Sequence, residues 1–445
     1  MQWSRFVHFF PHARMLWHAL KFDKFIVAGP EIPDNFCPGG HVGPENLGGM
    51  LFSELLSRGF IVAIGDEETC LHDYSWVMEE RRTIQALYLI LTTKCNLQCS
   101  YCLYRANNSG SLTGTGQQMS KRVACEAVKL FAKETAKNDR NRPGYWEEVT
   151  LYGGEPLINR ICLENAVGHI RQLQADGQAW PDIHLVLNTN GTLIDDRFIE
   201  FARKEQIEVQ ISIDGPAHIH DQVRQFRNGK GSFGTVLRGL ERMQSVGLEF
   251  VPLITITDAN INSLADCVGW LCRRFSIKRY GLNLLMHTHG AVDPSYGVRA
   301  AEAMQETHTV ASSFGAVDKM YEGAFRSFAE KRIAPQSCGA GRKLVVFPDG
   351  GIHACQALEA SSITRIGYLP VFAPDNRNRV LWSNRNRFSN SECLICPAIG
   401  GCGGGCGASA FNAFGNALGI DPNHCAWMKC VFAKWLEEEA VSILT

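Results

Sequence analysis

The feature that most constrains this chain is Lys94-Cys95-Asn96-Leu97-Gln98-Cys99-Ser100-Tyr101-Cys102, three cysteines at C-x3-C-x2-C spacing. It directly follows the apolar run Leu87-Tyr88-Leu89-Ile90-Leu91. A loop of eight residues can wrap three thiolates round one face of a cluster. On a four-iron cube, three ligands leave one iron without a protein ligand, and an open iron is a place for chemistry. The alternatives are a zinc site or cysteines placed by chance. Structural zinc closes with four ligands, often as two C-x2-C pairs, and no fourth ligand follows Cys102 at short range.

Seventeen cysteines are many for a chain whose first twenty residues scatter Arg5, His8, His12, Arg14 and His18 among aromatics, unlike a signal peptide. A cytoplasmic location is expected, and disulfides are not. Ten of the cysteines sit in two motif blocks, which points to metal or cluster binding. The length of 445 residues suggests two or three domains. A formal charge of −1 gives no global pull toward nucleic acid or an anionic membrane. No apolar run reaches the ~18–20 residues a spanning helix needs.

Residues 1–82 read as a small α+β unit. Met15 to Leu20 could be helical, Leu47 to Arg58 has helical spacing that Gly59 would end, and Phe60 to Ile64 reads as a strand. The unit is either a packing appendage or a peptide-docking module. Cys37 and Cys70 have no partner spacing.

From Thr83 to about Gly290, strand-like runs alternate with amphipathic stretches. The runs are Leu87–Thr93, Glu148–Tyr152, Ile183–Thr189, Glu208–Ile213, Phe250–Thr257 and Tyr280–Met286. The pattern predicts a parallel sheet with right-handed crossovers, a partial (β/α)6 barrel. Reactive loops of such folds follow the C-terminal ends of strands. The cysteine loop follows the first, Gly153-Gly154-Glu155-Pro156 the second, Asn188-Thr189-Asn190-Gly191-Thr192 the third, and Ser212-Ile213-Asp214-Gly215-Pro216 the fourth. Residues 291–337 read as a helical bridge, with runs at Arg299–Met304 and Asp318–Lys331. His287 and His289 read as polar caps on the sixth strand, and the single Cys125, Cys162, Cys267 and Cys272 as core residues.

The second block spans 338–445. Cys338 and Cys355 flank a predicted β-hairpin around Phe347-Pro348-Asp349-Gly350-Gly351. Then come Cys393-x2-Cys396-x5-Cys402-x3-Cys406, a gap, and Cys425, within a glycine-dense stretch. Glycines there let backbone amides turn toward cluster sulfurs.

The first motif resembles the radical S-adenosylmethionine (SAM) superfamily, whose signature C-x3-C-aromatic-x-C reads here Cys95, Cys99, Tyr101, Cys102. The seven cysteines of the second block match that family's SPASM extension in order. The resemblance implies three [4Fe-4S] clusters and SAM. The open iron at Cys95, Cys99 and Cys102 would bind the amino and carboxylate groups of SAM, whose reductive cleavage yields a 5′-deoxyadenosyl radical. Gly153, Gly154 and Glu155 would meet the methionine amine, Ser212 and Arg224 the ribose and carboxylate, and the backbone at Leu285 the adenine. Tyr101 and Asn190 join these cofactor-binding positions. Cys338, Cys355 and Cys406 would hold a first auxiliary cluster, and Cys393, Cys396, Cys402 and Cys425 a second. No cysteine lies in Gly339 to Phe347, so the first auxiliary cluster either keeps an open iron or is closed by Cys430.

SPASM members mostly modify peptides. One branch oxidises sulfatase side chains and carries an Asp directly after the second SPASM cysteine; here that position is Gln356, which argues against that activity. The resemblance therefore implies an oxidoreductase that matures a ribosomally made precursor peptide by a thioether or cyclophane link or an epimerised centre. Residues 1–82 would dock the leader (an RRE-like role), and a flavodoxin or ferredoxin would supply electrons. No nucleic acid or membrane partner is expected. A small-molecule radical SAM dehydrogenase, a sulfatase-maturase-like oxidase and a non-catalytic cluster protein are the alternatives.

Overall fold

The computed structural model describes residues 1–10, 15–26, 32, 36–64, 66, 83–102, 116–141, 145–286, 293, 295–319, 327–328, 330–331, 333, 338–358, 362–385 and 387–444. The chain opens with β1 (Gln2–Trp3) and a three-stranded antiparallel sheet, β2 (Val7–Phe10), β3 (Met15–His18) and β4 (Asp23–Ile26). Helices α1 (Pro44–Leu47) and α2 (Gly49–Ser57) follow, then β5 (Ile61–Val62), which pairs with β1. The helix expected from Met15 is instead strand β3. Two-sided burial is the reason. Met15 and Trp17 face the main core, while Leu16 faces a second core with Val7, Phe52, Leu55 and Phe60. A strand buried on both faces shows no alternation in its sequence.

The expected barrel units follow: β6 (Ala86–Thr92), α3 (Lys121–Thr135), β7 (Glu148–Gly153), α4 (Arg160–Ala175), β8 (His184–Thr189), α5 (Asp196–Lys204), β9 (Glu208–Ser212), α6 (Ala217–Val223), α7 (Phe233–Ser245), β10 (Phe250–Thr255), α8 (Leu264–Phe275) and β11 (Arg279–Asn283). From β6 to β11 each strand pairs in parallel with the next. Ser120 and Asp195 cap α3 and α5 by accepting from Val123 N–H and Phe198 N–H. At the strands' N-terminal ends, Glu208 accepts from Lys319 Nζ (2.6 Å) and pairs with Arg279 (3.1 Å).

After α9 (Tyr296–Ser312) and β12 (Val317–Asp318), parallel to β11, come β13 (Lys343–Val346), β14 (Gly351–His353), β15 (Arg365–Tyr368), β16 (Val371–Phe372), α10 (Arg377–Ser383), α11 (Ser391–Leu394), α12 (Gly407–Phe414) and α13 (Pro422–Leu444). The second helical run expected from Asp318 begins in β12, and most of it lies outside the described residues, as do His287, His289 and Cys70. The predicted hairpin is β13–β14. Its first strand also pairs in parallel with β6, so one sheet of eleven strands runs through the expected boundary at 338.

The N-terminal sheet is fastened to the C-terminal helix. Trp17 packs against Phe432 and Trp435 at 5.8 and 5.4 Å between ring centres, and its Nε1–H donates to Pro397 O (2.9 Å). Helix α13 also lies on α9: a Cβ on Gly297 would come within 2.5 Å of Asn423 O. No described helix is long and apolar enough to cross a membrane.

Candidate active site and thiol sets

The cysteine loop leaves β6 and is held from three sides. Gly153 (φ +141°) and Gly154 press against its start. A Cβ on Gly153 would lie 2.3 Å from Thr92 O, and one on Gly154 2.3 Å from Lys94 O, so only glycine fits. From the third loop, Asn190 Nδ2 donates to Asn96 Oδ1 (2.9 Å) and lies 3.8 Å from Cys95 Sγ. From the fourth, Ser100 N–H donates to Val223 O (2.9 Å), and Arg224 Nη1 lies 3.9 Å from Cys99 Sγ. Burial pushes the Cys95 thiol up to about 12, with Glu155, Cys99 and Cys102 adding to the rise.

Two acids in this mouth have duties the sequence did not announce. Glu155, expected to meet an ammonium group, is fully buried. Its Oε1 accepts from Leu157 N–H (3.0 Å) and Thr189 Oγ1 (2.8 Å), and its Oε2 from Asn190 N–H (2.8 Å). It braces the second loop to the third, and burial raises its carboxyl to about 7. Asp214, given no role from sequence, is the hub of the fourth loop. Its carboxylate accepts from Tyr101 Oη (2.6 Å), Arg224 Nε (2.7 Å) and Thr255 N–H (3.0 Å). Arg224 also stacks over Tyr101, 5.2 Å from the ring centre. The signal available in sequence was an acid directly after the fourth strand, one short helix before an arginine.

The other predicted cofactor positions are nearby. Ser212 is the last residue of β9 and half-buried. Leu285 follows β11; its N–H donates to Tyr296 Oη (2.6 Å), and its carbonyl accepts from Asn423 Nδ2 (3.0 Å). Its backbone donor is therefore already used, which leaves the carbonyl's second lone pair for a ligand.

The C-terminal thiols fall into two sets. Burial raises Cys406 and Cys355, and Cys338 raises both further. Met286 Sδ lies 3.7 Å from Cys406 Sγ. In the other set, burial pushes Cys393 up to about 12, with Cys402, Cys396 and Cys425 adding. These four line one pocket together with Arg387 and His424. Burial works against the Cys402 thiolate, but His424 Nε2 (3.8 Å) and Gly404 N–H (3.4 Å) bring its pKa below the usual value. Arg385 donates to the carbonyls of Gly404, Gly405 and Ala417 at 2.5, 3.0 and 3.0 Å and holds the glycine loop in shape. Cys430 belongs to neither set. Five residues past Cys425 on α13, it is turned about 140° round the helix, and it lines a surface hollow with Glu302 and Gln305.

Between the mouth and the first C-terminal set lie Tyr88 and Tyr152, ring centres 6.1 Å apart, with Lys343 Nζ 4.5 Å from the centre of the Tyr88 ring. Among the described residues no group of three or more His, Cys, Asp and Glu could hold a single metal ion. The chemistry of the donor sets fits a wider multi-iron cluster: buried or half-buried thiols grouped in threes and fours, with backbone N–H donors 3.4 Å from Cys95, Cys355 and Cys402 Sγ.

Residues 89–271 match the Radical SAM superfamily. An uncharacterized protein of Methanocaldococcus jannaschii is 30% identical over 199 residues, 45% of this chain and 62% of that protein. The serine-type anaerobic sulfatase-maturating enzyme of Bacteroides thetaiotaomicron is 30% identical over 166 residues, 37% of this chain and 38% of that enzyme. The chain thus spans less than two thirds of the length of these two relatives. The radical SAM cyclopropyl synthase TigE of Paramaledivibacter caminithermalis is 20% identical over 413 residues, 87% of this chain and 83% of that synthase. The solved structure of anSMEcpe with bound AdoMet has the same fold, with TM-score 0.66 and 19% identity over 81% of this chain and 100% of that one. That protein has also been solved with AdoMet and the Cp18Cys peptide, TM-score 0.65, 19% identity, 81% of this chain and 99% of that one. With its cysteine loop at the mouth of the matched segment, this chain carries over residues 89–271 a stretch similar to the Radical SAM superfamily, a match that implies SAM and a [4Fe-4S] cluster.

Proposed function

We propose that this chain is a radical SAM oxidoreductase that modifies a ribosomally made precursor peptide by a crosslink, such as a thioether or cyclophane, or by epimerisation. The carrying observation is one sheet that joins the three-cysteine loop after β6 to the hairpin of the first C-terminal set through the β6–β13 pairing. Three [4Fe-4S] clusters would be held by Cys95, Cys99 and Cys102, by Cys338, Cys355 and Cys406, and by Cys393, Cys396, Cys402 and Cys425. When bound, cluster and SAM supply a 5′-deoxyadenosyl radical that removes a substrate hydrogen atom.

The chain's own residues bind, orient and exclude water. Gly153 and Gly154 let backbone approach the cofactor closely. Tyr101, Asn190, Ser212, Arg224 and the Leu285 carbonyl would line its site, with Asp214 fixing Arg224 and Glu155 fixing the second loop against the third. Burial holds the Cys95 and Cys393 thiols protonated near neutral pH, so loading releases protons and strengthens with rising pH. Residues 1–82 would dock the leader by strand addition at an edge of the β2–β3–β4 sheet. Residues 83–290 form the barrel, 291–337 the bridge and 338–445 the SPASM unit, and a flavodoxin or ferredoxin would reduce the clusters. Relatives that mature sulfatases or were solved with a peptide support the substrate class. Gln356 speaks against a sulfatase-type proton acceptor, because it lies beside Lys343 as a neutral amide.

The test is anaerobic reconstitution with iron and sulfide, reduction, and assay for 5′-deoxyadenosine. The intact protein should hold about twelve irons and Cys99→Ala about eight, for three four-iron clusters, and Cys99→Ala should form no 5′-deoxyadenosine. Intact, fully loaded protein that forms none would sink the enzyme reading. A mass change in a short peptide encoded beside this chain's gene, absent with Cys99→Ala, would establish the substrate class.

A further inference from the structure

Lys343 is the one lysine whose ammonium is buried beside C-terminal thiols among the described residues. It begins β13, in register with Ala86 of β6. Its Nζ donates to Gln356 Oε1 (2.7 Å) and lies 4.5 Å from the Tyr88 ring centre. Neither partner is an acid, and no carboxylate among the described residues pairs with it. Both contacts suit an ammonium: the amide oxygen accepts its proton, and the electron-rich face of Tyr88 faces its charge. Gln356 directly follows Cys355, so the residue that leaves the charge intact is carried by the ligand strand itself. An acid at 356 would form an ion pair and cancel the charge.

We infer that Lys343 sets the charge balance of the first auxiliary centre: its ammonium, left unneutralised by Gln356, raises the reduction potential of a cluster held by Cys338, Cys355 and Cys406. Adding an electron makes a cluster more negative, so a fixed cation close by favours the reduced form, and net charge and burial are the protein's main levers on this potential. The inference rests on the assignment of a cluster to those three thiols. It makes Lys343 a positioning residue, acting through field rather than by touching substrate.

The test is a potentiometric titration of the reconstituted full-length protein, followed by electron paramagnetic resonance. Cys338→Ala identifies which signal belongs to the first auxiliary centre. Lys343→Met and Gln356→Glu should each move that signal's midpoint to more negative potential and leave the other two in place. Lys343→Arg, which keeps the charge, should restore it to near the original value. If Lys343→Met loses iron, Gln356→Glu decides, because it keeps the lysine and cancels its charge. An unmoved midpoint in a variant with full iron content overturns the inference while the cluster assignment stands. If Cys338→Ala removes neither iron nor a signal, the assignment fails and the inference falls with it.

Discussion

Arg224 and Lys343 are both buried cations facing thiols, and they are held in opposite ways. Arg224 has a carboxylate 2.7 Å away, and that carboxylate also takes the Tyr101 hydroxyl and a backbone N–H. Lys343 has a neutral amide at the same distance and an aromatic ring. The first arrangement fixes a guanidinium beside the Cys99 thiol and offsets its long-range field. The second keeps the field and gives up rigidity. The two sites thus divide the uses of a buried charge: orientation at the barrel mouth, potential at the hairpin.

The sharpest way to break this contrast is Asp214→Asn. It leaves Arg224 buried with no counter-charge and should cost about 3–5 kcal/mol, read by urea unfolding of the cluster-free protein. Adding Arg224→Met should recover most of the loss, because an apolar replacement removes the charge altogether. Acidification comes next and reaches both regions at once. Burial holds His220, beside Asp214, and His353, on the hairpin, at about 4, well below the ordinary 6.5. The unfolded chain therefore takes up protons first, and stability falls as pH drops from about 6.5 toward 4. At pH 5 each histidine should cost about 2 kcal/mol. Glu155 works the other way: its carboxyl at about 7 lies above the ordinary 4.5, so its contribution is lost as pH rises from 4.5 through 7. His220→Gln should flatten the acid side of the profile, and an unchanged profile would mean that this ring is not held neutral.

Tyr101→Phe removes one hydrogen bond from the Asp214 hub and should cost about 1 kcal/mol, with Arg224 still paired. Smallest of all is Lys343→Met. Its ammonium has no acid partner to leave stranded, and an apolar replacement removes a desolvated charge, so cluster-free stability should hold or rise slightly. A cost as large as that of Asp214→Asn would erase the contrast.

The barrel was legible because each of β6 to β11 is a short apolar run closed by a polar or glycine loop, and the helices between carry a clean apolar stripe. The two cysteine blocks were legible by spacing. Three things were not. Met15 to His18 is apolar on both faces, so no period distinguishes strand from helix, and only its burial between two cores decides. The pairing of β13 with β6 joins segments more than two hundred residues apart, and local pattern carries no trace of it. Asp214 reads in sequence as one more turn residue, because its partners Tyr101, in the loop after β6, and Thr255, at the end of β10, lie far from it along the chain. Cys430 is the reverse case: the sequence left it open as a ligand, and the turn of α13 carries it away from the thiols.

The run of backbone hydrogen bonds from β11 through β6 into β16 has a mechanical consequence. A hinge between barrel and hairpin would have to tear strand from strand, so the gap between the mouth cysteines and the first C-terminal set behaves as a gauge block of constant length. A guest that must touch both ends is selected by its reach, and it is the guest that has to bend.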